Sequence, residues 1–459
     1  MKKKLLAGFM TGIFLLTNTG LLSQAANVVE VPAEQVDSVY NQGVESNGLT
    51  NWPAGPQIYS ESGIVMDMDT GAILYAKNID DQHYPASITK VMTALVALEN
   101  CQMTDTVEFA QEDISFLEYG DAHIGMKVGE KISMEDAMYG MLLASANEVS
   151  HAIGRNTAGG YDNFINLMNQ KAAELGCKNS HFVNTYGLHD AEHYTSARDM
   201  ALIGSAVFKY ETFRTITNTY EHVIGKTNIT KQKRYVHQNH KMLRSWDSRY
   251  YKYCVGGKTG FTDQALTTLV TFATKGNMNL VAVTLRTHGG GNNAYRDTKA
   301  MLQYAFKNFK KTTVDVAQLG NENIAALGAQ TDVTLPSSVT ISGLESTFTE
   351  PTNLGDKEGT ISYTYEGQPV GTVDVTITDK YYNQIHGIEE KKETVKKEDT
   401  KKKTGIPTIL KVILTIVIIL IVAMLFLVCL VSYRRKQLEK MRRERRRRRR
   451  EEWERMNRE

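Results

Sequence analysis

Cysteine is scarce in this sequence, which has four cysteines in 459 residues. Cys429 lies within a long apolar run, and the other three, Cys101, Cys177 and Cys254, are an odd number at no spacing typical of metal ligands. A small secreted scaffold held together by several disulfide bonds is therefore excluded, while a single bridge among these three stays open.

Long apolar runs are almost as rare, and the two that stand out lie near the ends of the chain. Lys2–Lys4 precede an apolar run that leads to the small residue Ala25, a pattern typical of a secretory signal peptide cleaved after Ala25. A retained anchor helix is the alternative, but polar residues at 17–20 interrupt the run. Val412–Val431 contains no charge and would be about 30 Å long as a helix, which matches the hydrocarbon core of a bilayer. We therefore expect a signal peptide over 1–25 and a transmembrane helix over 412–431.

The body of the chain has fewer basic than acidic residues. Residues 5–433 hold 36 Lys and Arg against 45 Asp and Glu, although the whole chain has a formal net charge of +2. This acidic body argues against a nucleic-acid partner. The tail over 432–459 is basic and contains Arg445–Arg450. Because Lys and Arg beside a span stay in the cytoplasm, we expect a cytoplasmic tail and outward-facing residues 26–411, with RNA binding by the arginines as the less favoured alternative.

The segment over 58–311 mixes helical and strand patterns, which predicts an α+β domain. Two short apolar runs around Asp69-Thr70-Gly71 indicate a hairpin, and helix starts are indicated after Pro85, at Ser133 and at Ser196. Further along, the patterns indicate three strands and a closing helix, over 255–261, 267–274, 280–287 and 294–309. Residues 26–57 show no sustained period and are interpreted as a lead-in segment.

After residue 311 the pattern changes to short alternating runs separated by Gly, Asn and Pro, with no convincing helix. These runs are Val314–Val316, Val333–Leu335, Val339–Ile341, Thr360–Tyr365 and Thr372–Ile377. They predict a small all-β domain over 312–388. Glu389–Lys403 then holds seven lysines and five acidic residues, so residues 389–411 are expected to form a charged tether that cannot bury a core.

A serine and a lysine three residues apart, Ser87 and Lys90, follow Pro85 at the expected helix start. In a helix they lie on one face, one turn apart. A serine hydroxyl is a poor nucleophile until a base removes its proton, and a nearby amine can do so when desolvation lowers its pKa. The spacing alone is weak evidence for a catalytic pair, because chance produces about one or two such Ser-x-x-Lys matches in a chain of this composition.

Two further motifs carry polar groups that could face the same cleft. Ser145 and Asn147 lie where one expected helix ends and another begins, although an ordinary helix cap explains them as well. Lys258-Thr259-Gly260 follows two glycines, and strand alternation places Lys258 and Gly260 on one face, where a ligand backbone could approach closely. A phosphate-binding loop is the rival interpretation of this motif, but it requires a glycine where this chain has Lys252.

Taken in order, the three motifs resemble those of the penicillin-recognising serine acyltransferases, which share a beta-lactamase/transpeptidase-like domain. The sequence segments around these motifs are similar to those of serine-type D-alanyl-D-alanine carboxypeptidases, the low-molecular-mass penicillin-binding proteins. These segments are Pro85-Ala86-Ser87-Ile88-Thr89-Lys90, Leu142-Leu143-Ala144-Ser145-Ala146-Asn147-Glu148, Asn184-Thr185-Tyr186-Gly187-Leu188 and Gly257-Lys258-Thr259-Gly260-Phe261-Thr262. The resemblance covers about 58–311, and a following β-rich domain is usual in the family. This chain departs from the family at Asp263–Leu266, where Ala-Gly is usual, and in having a predicted span where many members have an amphipathic helix.

The resemblance implies hydrolysis of the terminal D-Ala-D-Ala bond of peptidoglycan stem peptides, with beta-lactams acylating the same serine. Ser87 would be the nucleophile, Lys90 the proton acceptor and Ser145 a proton relay. The substrate would be bound by residues of the second and third motifs, namely Asn147, Lys258, Thr259, Gly260 and Phe261. The oxyanion hole would consist of the backbone N–H groups of Ser87 and Phe261, and no cofactor is implied.

Other functions remain as alternatives at this point. The same fold could act as an endopeptidase, a transpeptidase or a beta-lactamase, or the chain could be a non-catalytic peptidoglycan-binding protein. His189-Asp190-Ala191-Glu192-His193 matches a pattern of some zinc peptidases, but Gly187 precedes it and the next helix starts only at Ser196. The two histidines are therefore expected in a loop rather than on one helix face, and we predict no metal site.

Overall fold

A five-stranded antiparallel sheet lies at the centre of the structure, a computed structural model that describes residues 33–315, 321–353 and 355–388. Within these residues there are ten α-helices: α1 Ala33–Tyr40, α2 Lys90–Asn100, α3 Glu112–Ser115, α4 Met134–Leu143, α5 Asn147–Asn156, α6 Tyr161–Glu174, α7 Ala197–Phe208, α8 Glu211–Asn218, α9 Gly291–Asn308 and α10 Asp379–Ile385. The strands of the first 308 residues are β1 Ser60–Asp67, β2 Ile73–Lys77, β3 Thr106–Glu108, β4 Lys131–Ser133, β5 Glu221–Ile224, β6 Arg234–His237, β7 Cys254–Thr262, β8 Leu266–Lys275 and β9 Met278–Thr287. The strands that follow α9 are β10 Phe309–Thr313, β11 Ile324–Leu327, β12 Asp332–Pro336, β13 Glu345–Thr349, β14 Glu358–Tyr365 and β15 Gln368–Ile377.

The central sheet has the strand order β2-β1-β9-β8-β7 and is buried on both faces. Alternate residues of β9 therefore enter two different cores, with Val281 and Val283 packed among the helices that include α2 and α7. Leu280 and Ala282 pack on the opposite face with Met301 of α9. This period of two is what a strand with two covered faces requires. Among the described residues, no strand pairs with the outer edge of β7, and this edge borders the candidate site.

The local signals for the elements around the site are confirmed. β1 and β2 form the hairpin around Asp69-Thr70-Gly71, and β7, β8 and β9 form the three expected strands. The Ser133 hydroxyl accepts the Asp136 N–H at the start of α4, and the Ser196 hydroxyl accepts the Asp199 N–H at the start of α7. Both serines are the N-caps that the sequence predicts.

The lead-in segment is more ordered than its sequence indicates. It contains α1, and the fully buried ammonium of Lys77 donates to the carbonyls of Val39, Ile58 and Ser60. Burial lowers the pKa of Lys77 to about 8. This contact fastens the end of α1 to the edge of the central sheet.

The residues after α9 form a β-rich region with two sheets, β11-β15-β14-β13 and β10-β12. The predicted strands at Val333–Leu335, Thr360–Tyr365 and Thr372–Ile377 are confirmed, whereas the expected strand at Val339–Ile341 is wrong because Ile341–Gly343 forms a 3-10 turn. The expectation of no helix is also wrong, since α10 follows β15. The Thr372 N–H donates to the Thr70 carbonyl, which joins this region to the β1–β2 hairpin.

Several predicted segments lie outside the described residues: the signal peptide, the tether, the transmembrane helix at Val412–Val431 and the basic tail. Among the described residues, no helix has the length and apolar character needed to cross a bilayer. Cys101, Cys177 and Cys254 are free thiols in this structure, so the bridge left open by the sequence does not form among them.

Candidate active site

Ser87 and Lys90 meet at the start of α2, as their spacing predicts. Residues Ala86–Thr89 form a 3-10 turn that continues into α2 at Lys90. The Lys90 Nζ lies 3.1 Å from the Ser87 Oγ. Lys90 is fully buried, whereas Ser87 is partly exposed and can meet a ligand. Ala86 adopts a φ of 51°, a left-handed conformation that residues other than glycine rarely hold without support from their surroundings.

The ammonium position of Lys90 has two further partners. Its Nζ lies 2.7 Å from the Asn147 Oδ1 and 2.7 Å from the Tyr186 carbonyl oxygen. Burial lowers the pKa of Lys90 well below its usual value, and the positive charge of Lys258 lowers it further. A neutral amine donates two hydrogen bonds and keeps one lone pair, so donation to Asn147 and Tyr186 leaves that lone pair for the Ser87 hydroxyl.

Ser145 and Lys258 form a second pair on the opposite side of the site. Ser145 lies between α4 and α5 with a φ of 64°, and its hydroxyl accepts a hydrogen bond of 2.9 Å from the Lys258 Nζ. Lys258 also donates to the Thr259 carbonyl at 2.7 Å. Burial lowers the pKa of Lys258 to about 7. The site therefore holds two buried amines, each bonded to a serine hydroxyl.

Strand β7 forms one wall of the site and lies directly against the turn that carries Ser87. A Cβ placed on Gly260 would be 2.9 Å from the Ser87 backbone nitrogen, so only glycine allows this approach. The Thr268 hydroxyl of the neighbouring strand donates to the Pro85 carbonyl at 2.8 Å and fixes the turn to the sheet. Thr259 is partly buried on β7, and the Phe261 side chain is half exposed at the rim.

The eight residues that the sequence singles out thus lie on three elements that converge. Ser87 and Lys90 come from the start of α2, Ser145 and Asn147 from the junction of α4 and α5, and the remaining four, Lys258, Thr259, Gly260 and Phe261, from β7. Asn147 is the first residue of α5, and its backbone N–H donates to the Ala122 carbonyl at 2.7 Å. The Lys90–Asn147 and Lys258–Ser145 hydrogen bonds tie these elements together across long sequence distances.

The loop at 184–188 supplies contacts that the sequence alone did not assign. Gly187 has a φ of 89°, and a Cβ on it would lie 1.9 Å from the Ala86 carbonyl oxygen. The Asn184 Oδ1 accepts the Gly187 N–H at 2.6 Å, which holds this turn closed. The next carbonyl back along the chain, that of Tyr186, is the one that accepts from Lys90. The Asn-Thr-Tyr-Gly-Leu motif was the available sequence signal for this loop, but the motif alone does not indicate what its residues do.

A cluster of aromatic rings packs around the side chain of Tyr186. The Tyr186 ring stacks on Phe116 with centroids 4.6 Å apart, and His151 stacks on Tyr161 at 4.0 Å. The His151 Nδ1 lies 2.6 Å from the buried carboxylate of Asp113, which Arg155 also holds. Hydrogen bonds from these groups keep the pKa of Asp113 below its usual value despite its burial. This cluster fixes the position of the loop that carries the Tyr186 carbonyl.

The two histidines of the zinc-peptidase pattern have separate tasks. His193 is buried, accepts the Val183 N–H at its Nδ1 and lies 2.8 Å from the Thr89 hydroxyl through its Nε2. Burial lowers its pKa to about 3. The His189 ring lies edge-on to Tyr84. Since both nitrogens of His193 are used by protein groups, this histidine is a structural support for the start of α2.

The departure of the sequence at Asp263–Leu266 covers the turn between β7 and β8 and the first residue of β8. The Gln264 carbonyl accepts from the Arg286 guanidinium at 2.6 Å, and Arg286 also pairs with Glu61 at 2.9 Å. Leu266 adopts a φ of 53°. The altered turn is therefore attached to the central sheet through Arg286.

Several known proteins are similar to this chain in sequence and in fold. A model of the D-alanyl-D-alanine carboxypeptidase family of peptidases matches residues 50–289. The chain is 32% identical over 256 residues to the D-alanyl-D-alanine carboxypeptidase DacF of Bacillus subtilis, across 55% of this chain and 63% of that protein. It is 31% identical over 312 residues to DacA of Escherichia coli K12, across 63% of this chain and 73% of that protein. The DD-transpeptidase of Streptomyces K15 superposes with a TM-score of 0.51 at 27% identity, covering 56% of this chain and all of that one.

Proposed function

The chain belongs to the D-alanyl-D-alanine carboxypeptidase family of serine peptidases, and on that premise we propose that it removes the terminal D-alanine from peptidoglycan stem peptides through an acyl-enzyme on Ser87. The observation that carries the proposal is the set of three contacts made by the Lys90 Nζ, to the Ser87 hydroxyl and to the Asn147 and Tyr186 oxygens. Beta-lactams acylate the same serine.

Acylation begins when the Ser87 oxygen attacks the carbonyl carbon of the penultimate D-alanine. The hydroxyl proton passes to the lone pair of Lys90, because burial lowers the pKa of this amine and so favours the neutral form that can accept a proton. The backbone N–H groups of Ser87 and Phe261 bind the developing oxyanion, and one such donor typically contributes about 10²–10³ in rate. The peptide bond then breaks, and the terminal D-alanine leaves as an amine.

Ser145 and Lys258 serve the leaving group and the substrate carboxylate. The proton that Lys90 took from Ser87 reaches the leaving nitrogen by way of the Ser145 hydroxyl, which is bonded to Lys258. The positive charge of Lys258 attracts the terminal carboxylate, and the Thr259 hydroxyl donates to it. Asn147 holds the peptide backbone on the other side, close to Gly260 of β7. Water then hydrolyses the ester and restores Ser87.

Release of free D-alanine from a pentapeptide that ends in D-Ala-D-Ala tests the proposal. The wild-type chain should produce D-alanine and tetrapeptide in equal amounts, while Ser87→Ala should produce neither. Ser62→Ala is the matched control, since Ser62 lies on β1 and bonds to His83 outside the site. D-alanine release that persists in Ser87→Ala would contradict the proposal.

Transpeptidation is a second candidate, favoured by the similarity to the DD-transpeptidase of Streptomyces K15. It shares the acyl-enzyme but replaces water by an acceptor amine. Adding such an amine to the pentapeptide reaction distinguishes the two activities. A carboxypeptidase yields mainly tetrapeptide, whereas a transpeptidase yields mainly the amide product with the acceptor.

We also propose that the chain acts at the outer face of the cytoplasmic membrane, with a cleaved signal peptide over 1–25, a single span over 412–431 and a cytoplasmic tail. The support is the apolar run and the cluster of Arg and Lys that follows it. Cell fractionation should find the full chain in the membrane and a chain that ends after residue 388 outside the cell. Membrane retention of the shortened chain would contradict the assignment.

A further inference from the structure

A pocket of about 390 Å³ lies outside the active site, between the segment that enters β7, the end of β8 and the second half of α9. Its lining combines four lysines with aromatic side chains. The lysines are Lys252, Lys275, Lys299 and Lys307, and the main aromatic residues are Tyr253 and Phe306. We call this feature the lysine pocket, and none of its residues belongs to the catalytic machinery described above.

No residue that the structure describes neutralises the positive charge of the lysine pocket. Within the described part of the chain, no carboxylate lies at ion-pair distance from any of the four lysines, and no carboxylate lines the pocket. Three of the four lysines are exposed, and Lys299 is partly exposed. The surrounding body has an excess of acidic residues, so this concentration of like charge stands out from its context.

Aromatic rings lie close to two of the four ammonium groups. The Lys252 Nζ lies 4.8 Å from the centroid of the Tyr253 ring, and the Lys275 Nζ lies 5.4 Å from the same ring. Lys275 is also 5.8 Å from the Phe306 ring. A ring face attracts a cation without cancelling its charge. The rings therefore attract the ammonium groups of Lys252 and Lys275 and leave their positive charge available to an incoming anion.

We propose that the lysine pocket binds a polymer that carries repeated phosphate groups. Four closely spaced ammonium groups match several anionic charges better than a single one, and lysine binds phosphate as a point charge. The volume suits a small part of a chain, since ligand pockets typically measure about 300–1,000 Å³. A concave site also favours an inserted chain over a flat lipid surface, which would reach only its rim.

Lysine footprinting on the full-length chain tests this proposal with inorganic polyphosphate as the probe. Acetylation of each lysine is measured by mass spectrometry with and without polyphosphate, and the four pocket lysines should be protected. Three exposed lysines of the β5–β6 loop, Lys226, Lys231 and Lys233, are the internal controls and should react as before. Reading each lysine separately keeps the arginine-rich tail from obscuring the result.

The salt dependence of protection gives the number of contacts. At a slope of about 0.7 per phosphate contact, four contacts predict that affinity falls about fifty-fold between 50 and 200 mM salt. The variant Lys252→Gln/Lys299→Gln should halve this slope, read at Lys275 and Lys307, while labelling of Ser87 by a penicillin stays unchanged. The matched variant Lys226→Gln/Lys233→Gln should leave the slope unchanged.

Two outcomes would overturn the proposal. Equal protection of pocket and control lysines, or protection of neither, would show that the pocket does not select the polymer. Protection by vesicles of anionic phospholipid but not by polyphosphate would assign the surface to a bilayer instead. Because penicillin labelling is measured on the same samples, failure here is distinguishable from failure of the proposed enzymatic function.

Discussion

Replacing Gly187 by alanine should damage both the fold and the active site. The left-handed φ of 89° costs an L residue about 1–2 kcal/mol. The new Cβ would also lie 1.9 Å from the Ala86 carbonyl oxygen, so the two segments must separate. Overpacking of this kind typically adds about 1–3 kcal/mol. We therefore expect Gly187→Ala to lose about 2–5 kcal/mol of folding stability in total.

The forced separation acts on the two groups that hold the nucleophile and its base. Ala86 precedes Ser87, and Gly187 follows the Tyr186 carbonyl that accepts from Lys90. A displacement of about 1 Å between reacting groups can cost about 10²-fold in rate. The acylation rate constant with a fluorescent penicillin, measured below the melting temperature of the variant, should therefore fall about a hundredfold.

Gly176→Ala is the matched control for this experiment. Gly176 has a similar φ of 79° after α6, but a Cβ there meets nothing within 4 Å. It should lose only the backbone part of the stability, about 1–2 kcal/mol, and acylate at the wild-type rate. Wild-type acylation by Gly187→Ala would refute the reasoning, because the contact with Ala86 would then have no bearing on Ser87.

Three further predictions concern the amines and the support of the nucleophile turn. Lys90→Met removes the proton acceptor and should lower acylation by penicillin about 10²–10⁴-fold, whereas a loss of less than tenfold would exclude Lys90 as the base. Burial lowers the pKa of Lys258 to about 7, so the Lys258 ammonium loses its charge as the pH rises through 7. The value of kcat/KM for the pentapeptide should therefore fall above about pH 7. A pH profile that stays flat to about pH 9 would contradict this prediction. Thr268→Val removes the donor to the Pro85 carbonyl and should destabilise the fold by about 1–3 kcal/mol in thermal unfolding and slow acylation, and Thr268→Ser should restore both. Equal behaviour of the valine and serine variants would show that this hydrogen bond is not needed.

The elements that the sequence predicts well are those with local causes. Ser133 and Ser196 cap α4 and α7 through backbone groups three residues away, so the signal and its partner lie in the same turn. The same holds for Ser87 and Lys90, whose contact follows from helical spacing. Helix α6 was missed although Phe164 and its buried neighbours at four-residue intervals, Met168 and Ala172, carried the signal.

The features that the sequence could not reveal depend on distant partners. The Lys90 Nζ contacts the backbone carbonyl of Tyr186, which is 96 residues away in the sequence. Because every residue has a backbone carbonyl, the residue type does not indicate which one accepts this hydrogen bond. Lys77 holds Val39 in the lead-in segment for the same reason. The strand expected at Val339–Ile341 had the right alternation, but no neighbouring strand pairs with it and the chain turns instead. The lysine pocket joins three segments whose sequences are unremarkable when taken singly.

Mass spectrometry of the penicillin-treated chain tests the central claim most directly, namely that the Ser87 oxygen is the nucleophile of this site. The account predicts one covalent penicilloyl group per chain, located by peptide mapping on Ser87, and no adduct in Ser87→Ala. An adduct on another residue, or an unmodified chain after prolonged exposure, would contradict it.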